Sequence, residues 1–144
     1  MTGGRPAGLP CPVCAKHRGA GPLVSPVVWA DDLVVVTHRP GDFPGYLFVE
    51  TRRHVAGLDE LTEAEAPAVA GAAWVGARAL RAELAPESVH AAIAGRSVAH
   101  FHQHVFVRHP GTPAGLGWMD VDWPGAPRGG VATLCGRLSA HFAR

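Results

Sequence analysis

The 144-residue chain lacks the features that mark membrane, exported and strongly charged proteins. No apolar run approaches the length of a transmembrane span, and the start MTGGRPAGLPCPVC has no hydrophobic segment of a signal peptide. Neither sign of charge dominates, since 13 basic residues stand against 12 acidic ones for a formal net charge of +1. Bulk charge therefore gives no indication of a nucleic-acid or membrane partner.

Cysteine is also scarce, with three residues in the chain, and there are no internal repeats. Without an export signal we expect a cytoplasmic, reducing location, where a close cysteine pair more often binds metal or undergoes redox chemistry than forms a structural disulfide. Hydrophobic residues make up 47% of the chain, which is enough for a core. The length fits one domain. We expect a flexible, Gly/Pro-rich N-terminus at 1–10 and a single domain over 11–144.

The order of apolar runs and turn residues predicts an α+β fold with a mostly antiparallel sheet. PVVWADDLVVVTH predicts a hairpin, and YLFVETRRH, SVHAAI and VAHFHQHVFVR predict further strands. LTEAEAPAVAGAAWVGARALRAEL has the pattern of one long helix, in which Thr62 and Glu65 match a capping box. Pro67 predicts a later start or a bend. Residues 110–130 are irregular, and VATLCGRLSAHFA predicts a final helix.

The most unusual segment is HFHQHVF, residues 100–106, which holds three of the nine histidines. Alternate residues of a strand share one face, so we expect His100, His102 and His104 to point the same way. Each buried imidazole needs a hydrogen-bond partner, which makes this arrangement costly in a core. An exposed edge strand would explain one histidine. Three in strict alternation favour a metal site or a nucleophilic or acid–base site.

A second pattern is the CxxC pair Cys11 and Cys14, which is half of a zinc site or a redox pair. A thioredoxin-like pair follows a strand and opens a helix, and GLPCPVCAKHRGAG lacks that pattern. Two reduced residues in a loop are the alternative interpretation. We expect Cys135 to be a core residue of the last helix, and His90 to be a core histidine with its hydrogen bonds satisfied.

The histidine pattern and its surroundings resemble the histidine triad (HIT) family. PVVWADDLVVV, PGYLFVETRRHVAGLDELTEAE, GRSVAHFHQHVFVR and GLGW occur in the order and approximate spacing of bacterial members, over roughly residues 11–118. The resemblance implies a HIT-like α+β fold with a five-stranded, mainly antiparallel sheet, one long helix and a C-terminal helix. It also implies a homodimer, because members commonly pair through the long helix and the sheet.

Enzymes of this family hydrolyse or transfer nucleotidyl groups. The resemblance therefore implies a nucleotidyl hydrolase, phosphoramidase or nucleotidyltransferase, acting on a nucleotide or another phosphorylated small molecule. It assigns the nucleophile to His102, which would form a covalent nucleotidyl-histidine. His104 would stabilise phosphoryl oxygens or handle the leaving-group proton. Ser97 would contact the phosphate or the leaving group, and His100 completes the triad.

The bacterial branch with an N-terminal CxxC implies one structural Zn²⁺ per chain, held by Cys11, Cys14, His54 and His100. His17 is a nearby alternative ligand. Four protein ligands close such a site, and the bound His100 could not serve as a free acid or base. A zinc hydrolase would need an open coordination position and an acidic base near the metal, and the spacing indicates neither.

Several departures from the family concern the substrate. His38 stands where the family holds ribose with an aspartate, Tyr46 replaces a histidine, and Arg96 replaces a glutamine in a loop that has lost its asparagine. We expect substrate contacts from His38, Arg96, Ser97 and His104. Arg96 would favour an additional anionic group, with a solvated loop residue as the alternative. The alternative function is a zinc-stabilised HIT-fold protein that binds a nucleotide or anion and has lost catalysis.

Overall fold

A computed structural model describes residues 11–143, so the flexible N-terminus expected at residues 1–10 lies outside the described residues. In chain order the elements are α1 (Pro12–His17), β1 (Val27–Ala30), β2 (Val34–His38), β3 (Tyr46–Thr51), a short 3-10 helix (Leu58–Glu60), α2 (Glu65–Leu84), β4 (Ser88–Ala92), β5 (His102–Arg108) and α3 (Val131–Phe142). Across residues 11–143, no helix combines the length and the apolar character needed to cross a membrane.

The five strands form one sheet in the order β1-β2-β3-β5-β4, and every neighbouring pair is antiparallel. This confirms the α+β, HIT-like architecture. Alternation along β3 and β5 divides the side chains between two faces. Leu47, Val49 and Val105 pack with the core residues of α2 and α3. Phe48 and Glu50 therefore point to the opposite face, where β5 places His104 and His102 directly across from them.

The capping box predicted for the long helix is present. The backbone N–H of Glu65 donates to Thr62 Oγ1 at 3.0 Å, and the N–H of Thr62 donates to Glu65 Oε1 at 2.9 Å. The regular helix begins at Glu65, later than Thr62, so Pro67 lies in its first turn, where it is tolerated. At the other end Ala85 adopts a left-handed conformation (φ 46°) and Pro86 follows.

Three local predictions need correction or refinement. The CxxC segment opens a short helix, α1, rather than lying in a loop, with Cys11 as its N-cap and Pro12 in the first turn. Strand β5 begins at His102, so His100 precedes the strand. His90 is exposed on β4, where its Nε2 pairs with Ser88 Oγ at 2.8 Å. It is therefore not a core residue, because β4 is the edge strand of the sheet.

Candidate functional site

Two cysteines and two histidines from three separate segments meet beside the sheet. Cys11 and Cys14 come from the start of α1, His54 follows β3, and His100 precedes β5. One potential ligand atom from each residue lies within 4.8 Å of all the others. These are the four residues that the family resemblance implies as zinc ligands.

The distances between these atoms agree with a tetrahedral zinc site. Sγ of Cys11 and Sγ of Cys14 each lie 3.5 Å from His100 Nδ1, and Cys14 Sγ lies 3.5 Å from His54 Nδ1. The two Nδ1 atoms are 3.2 Å apart. Usual Zn–S and Zn–N bond lengths in a tetrahedron give edges of about 3.6 Å between S and N and about 3.3 Å between two N atoms. The donor set therefore fits Zn²⁺.

Hydrogen bonding orients His100 for such a role. Its Nε2–H donates to the carbonyl oxygen of Thr51 at 2.7 Å, which leaves the lone pair of Nδ1 directed at the cluster. Burial lowers the pKa of His100 to about 4, so the ring is neutral at physiological pH, as a ligand must be. His17, the alternative ligand, instead donates from Nε2 to Glu50 Oε1 at 2.9 Å. It is not part of the four-residue cluster.

Two residues after His100, His102 lies at the start of β5 with 8% of its surface exposed. Its Nδ1–H donates to the carbonyl oxygen of His100 at 2.7 Å. Because a carbonyl oxygen only accepts, this bond places the proton on Nδ1. Nε2 then carries the lone pair that a nucleophile needs.

His104 lies beside His102, with ring centroids 5.1 Å apart, and its Nδ1 is 2.8 Å from the hydroxyl of Tyr46. Burial and the neighbouring His102 lower the pKa of His104 to about 4, so this ring is neutral. Burial raises the pKa of Tyr46, which therefore keeps its O–H and donates it to Nδ1. In this arrangement Nε2–H of His104 is available as a donor. The sequence marked Tyr46 as a departure but predicted no role for it.

These histidines open into a cavity of roughly 230 Å³. Ser97 and the rings of His102 and His104 line it, so the structure brings together three of the predicted catalytic residues. The remaining walls are formed by Val13, Lys16, Leu23, Pro40, Phe48, Glu50 and Val98. Lys16 and Glu50 were not predicted, since neither has a recognisable motif around it in the sequence.

Two predicted substrate contacts are not in this cavity. His38 is fully buried, with Nδ1–H donating to the Arg39 carbonyl at 2.8 Å and Nε2 accepting from the Gly45 N–H at 2.9 Å. Both ring nitrogens are thus used by the backbone, which argues against a contact between His38 and substrate. Arg96 is exposed in the loop before the triad and does not line the cavity, which favours its interpretation as a solvated loop residue.

Comparison with known proteins agrees with the family resemblance of the triad segment. Residues 24–111 match the family model of the HIT domain. No curated protein matches the chain.

Several solved structures share the fold. A Zn-bound histidine triad family protein from Mycobacterium smegmatis is 21% identical with a TM-score of 0.67, and the alignment covers 92% of this chain and 93% of that one. A HIT family protein from Bacillus subtilis is 26% identical with a TM-score of 0.60, covering 72% and 76%. A hypothetical histidine triad nucleotide-binding protein from Sulfolobus tokodaii is 15% identical with a TM-score of 0.69, covering 92% of each chain.

Proposed function

The chain belongs to the HIT family, and on that premise we propose that it is a nucleotidyl hydrolase, phosphoramidase or nucleotidyltransferase that acts through His102. The substrate is a nucleotide or a related phosphorylated small molecule. Family membership supports chemistry on nucleotide-related phosphorus compounds, and the arrangement of the three cavity residues supports the assignment of roles below.

The observation that carries the proposal is the orientation of the His102 ring. A neutral imidazole is a competent nucleophile only when its reactive nitrogen has no proton. The bond from Nδ1–H to the His100 carbonyl selects that tautomer and fixes the plane of the ring. Nε2 is then the nitrogen that meets phosphorus in a cavity that also contains His104 and Ser97.

The reaction proceeds in two displacements. The lone pair of His102 Nε2 forms a bond to phosphorus while the bond to the leaving group breaks, and the leaving group departs with that electron pair. The leaving group takes a proton from water, and the hydroxide then attacks phosphorus and releases Nε2. One water is consumed in total. In a transferase, another acceptor would replace this water.

His104 and Ser97 stabilise the charge that develops on the phosphoryl oxygens. With Tyr46 donating to Nδ1, the Nε2–H of His104 is a neutral donor held in place before the reaction begins. Ser97 adds a hydroxyl on the same cavity wall. Donors that need not reorganise during the reaction are the more effective ones.

One Zn²⁺ per chain, bound by Cys11, Cys14, His54 and His100, would be structural, since all four ligands come from the protein. Its binding would tie α1 to the residues that follow β3 and to the segment that carries the triad. His100 then serves catalysis indirectly, because its carbonyl oxygen holds His102.

The test is the turnover of a panel of nucleoside 5′-phosphoramidates by matched histidine variants. His102→Ala should lower kcat by at least about a thousandfold with the fold intact, because the nucleophile is lost. His104→Ala should lower it by about a hundredfold, as expected for one lost transition-state donor. His90→Ala is the control, because His90 is exposed and lies outside the cavity. Near-wild-type turnover by His102→Ala would exclude His102 as the nucleophile.

One observation favours the alternative function, a binding protein without catalysis. The family's ribose-holding carboxylate is replaced by His38, and this ring is occupied by the backbone. If the wild type binds nucleoside monophosphates but turns over no member of the panel, the alternative function is the correct one.

A further inference from the structure

A polar cluster that the proposed reaction does not use lies at the cavity wall beneath Phe48. Lys16 Nζ pairs with Glu50 Oε2 and donates to Thr37 Oγ1 at 3.2 Å. His17 donates to the second oxygen of Glu50. The Lys16 and Glu50 side chains are only 5% and 2% exposed, yet both line the cavity that contains His102.

The pair ties α1 to β3, but stability alone does not require charged groups there. Removing two charges from water is costly, and apolar side chains of similar volume are often as stable or more so. The neighbouring cavity walls, Val13, Leu23 and Pro40, are apolar. The ion pair is therefore the polar feature of this wall that a ligand in the cavity could meet.

The hydrogen-bonding capacity of Lys16 shows what kind of group it recognises. An ammonium group has three N–H donors. Among residues 11–143, Glu50 and Thr37 accept two of them, which leaves one for an acceptor on a ligand. Glu50 has remaining lone pairs on the same wall, so the pair offers a donor next to an acceptor.

Charge indicates that this group is not the phosphate. The Glu50 carboxylate balances the charge of Lys16 and repels a further anion. The Phe48 ring lies near both the pair and the catalytic histidines, since its centroid is 5.1 Å from Lys16 Nζ and 5.3 and 6.3 Å from the ring centroids of His104 and His102.

We propose that Lys16 and Glu50 together recognise, by hydrogen bonding, the edge of a flat, neutral heteroaromatic ring. This edge carries a hydrogen-bond acceptor next to an N–H donor. The acceptor takes the remaining N–H of Lys16, the donor faces Glu50, and the apolar walls contact the ring faces. The cavity, at roughly 230 Å³, has room for one such ring system. This inference rests on the proposed function, because it names the feature of the substrate that this site selects.

The test compares two ligands that differ only at that edge, inosine 5′-monophosphate and purine riboside 5′-monophosphate. The second lacks the ring carbonyl and the adjacent N–H. In calorimetry, the wild type should bind the inosine compound at least about tenfold more tightly, since only that compound forms hydrogen bonds with both charged groups through its carbonyl and N–H. Lys16→Met should bring the ratio of the two dissociation constants close to one.

Two further variants make the comparison decisive. The double variant Lys16→Met/Glu50→Met removes both charges, so it leaves no unpaired buried carboxylate if Lys16→Met folds poorly. It should also show a ratio close to one. Arg18→Met is the matched control, since it removes an exposed cation just after α1 and should keep the wild-type ratio. Bound zinc and far-UV circular dichroism report whether α1 and the fold are intact.

Three results would overturn the inference. They are a wild-type ratio near one, an unchanged ratio in both Lys16 variants, or no measurable binding of either ligand at millimolar concentration. Loss of inorganic phosphate binding in Lys16→Met would likewise overturn it, by making Lys16 a phosphate anchor. Binding requires no catalysis, so a wild-type preference that Lys16→Met abolishes would stand even if turnover through His102 failed.

Discussion

At the scale of single residues, the chemistry depends on which ring nitrogen of each histidine holds the proton. The backbone decides this for two of the triad residues, since the Thr51 carbonyl accepts from His100 and the His100 carbonyl accepts from His102. A side chain, Tyr46, decides it for His104. The sequence pattern identifies all three histidines but contains no information on these partners.

The protonation of His104 gives a prediction about stability. Its folded-state pKa is lowered from 6.5 to about 4, mainly by burial. Between these values the unfolded chain binds more protons, so His104 makes the free energy of unfolding fall as the pH drops through this window. Above about pH 6.5, His104 contributes nothing to the pH dependence of the free energy of unfolding. Denaturant unfolding of the wild type should therefore be more steeply pH-dependent than that of His104→Gln, by up to about 1.4 kcal/mol per pH unit.

The proposed zinc ligands are the same in both proteins, so their contribution to the pH dependence of unfolding cancels in this comparison. Equal slopes for the two proteins between pH 4 and 6.5 would mean that His104 titrates like an exposed histidine.

At the scale of elements, the long patterns predict the structure better than the short ones. The hairpin, the helix capped by Thr62 and the last helix all form where apolar periodicity and turn residues indicate them. Helix α1 has six residues, too few for a periodic pattern, and its one local signal is Pro12 in the first turn. Its position depends on contacts with His100 and Glu50, which lie far along the chain.

This dependence predicts a large effect of losing the metal ligands. Cys14→Ala should contain no zinc, whereas the wild type should contain one zinc per chain. The variant should also lose amide-exchange protection over residues 11–17 and have a Tm lower by at least about 5 °C, because metal binding contributes directly to folding. Cys135→Ala is the control, since that cysteine lies in the core with α3 and away from the cluster. If the wild type contained no zinc and Cys14→Ala had the same Tm as the wild type, the assignment of these residues as zinc ligands would be contradicted.

At the scale of the whole molecule, the pairing of strands assembles the site. Tyr46 meets His104 and Glu50 comes to lie opposite His102 because β3 pairs with β5 in one register. Sequence separations of more than fifty residues hide such pairs from any local pattern. Only the family resemblance linked the cysteines to His54 and His100, and these four residues lie together in the structure. It also implied a substrate contact for His38, whereas the fold uses that side chain to hold the next turn.

The outer face of α2 predicts a homodimer. Trp74 is 62% exposed in the middle of this helix and the guanidinium of Arg78 lies over its ring at 5.0 Å. An exposed tryptophan among small residues is typical of a surface that a partner covers. Light scattering at micromolar concentration should give the mass of a dimer, and Trp74→Glu should give that of a monomer. Trp118→Glu, which changes a tryptophan that is 72% exposed in the 110–130 segment, should remain dimeric. A monomeric wild type would contradict this prediction.

The most direct test of the central claim, that His102 is the nucleophile, is to trap the intermediate itself. The protein is mixed with adenosine 5′-phosphoramidate, quenched at alkaline pH within the first turnover and measured intact by mass spectrometry. We predict a mass increase of one adenylyl group that maps to the peptide containing His102, is present in His90→Ala and is absent from His102→Ala. An adduct that persists in His102→Ala, or substrate consumed by the wild type with no adduct at any quench time, would contradict the account.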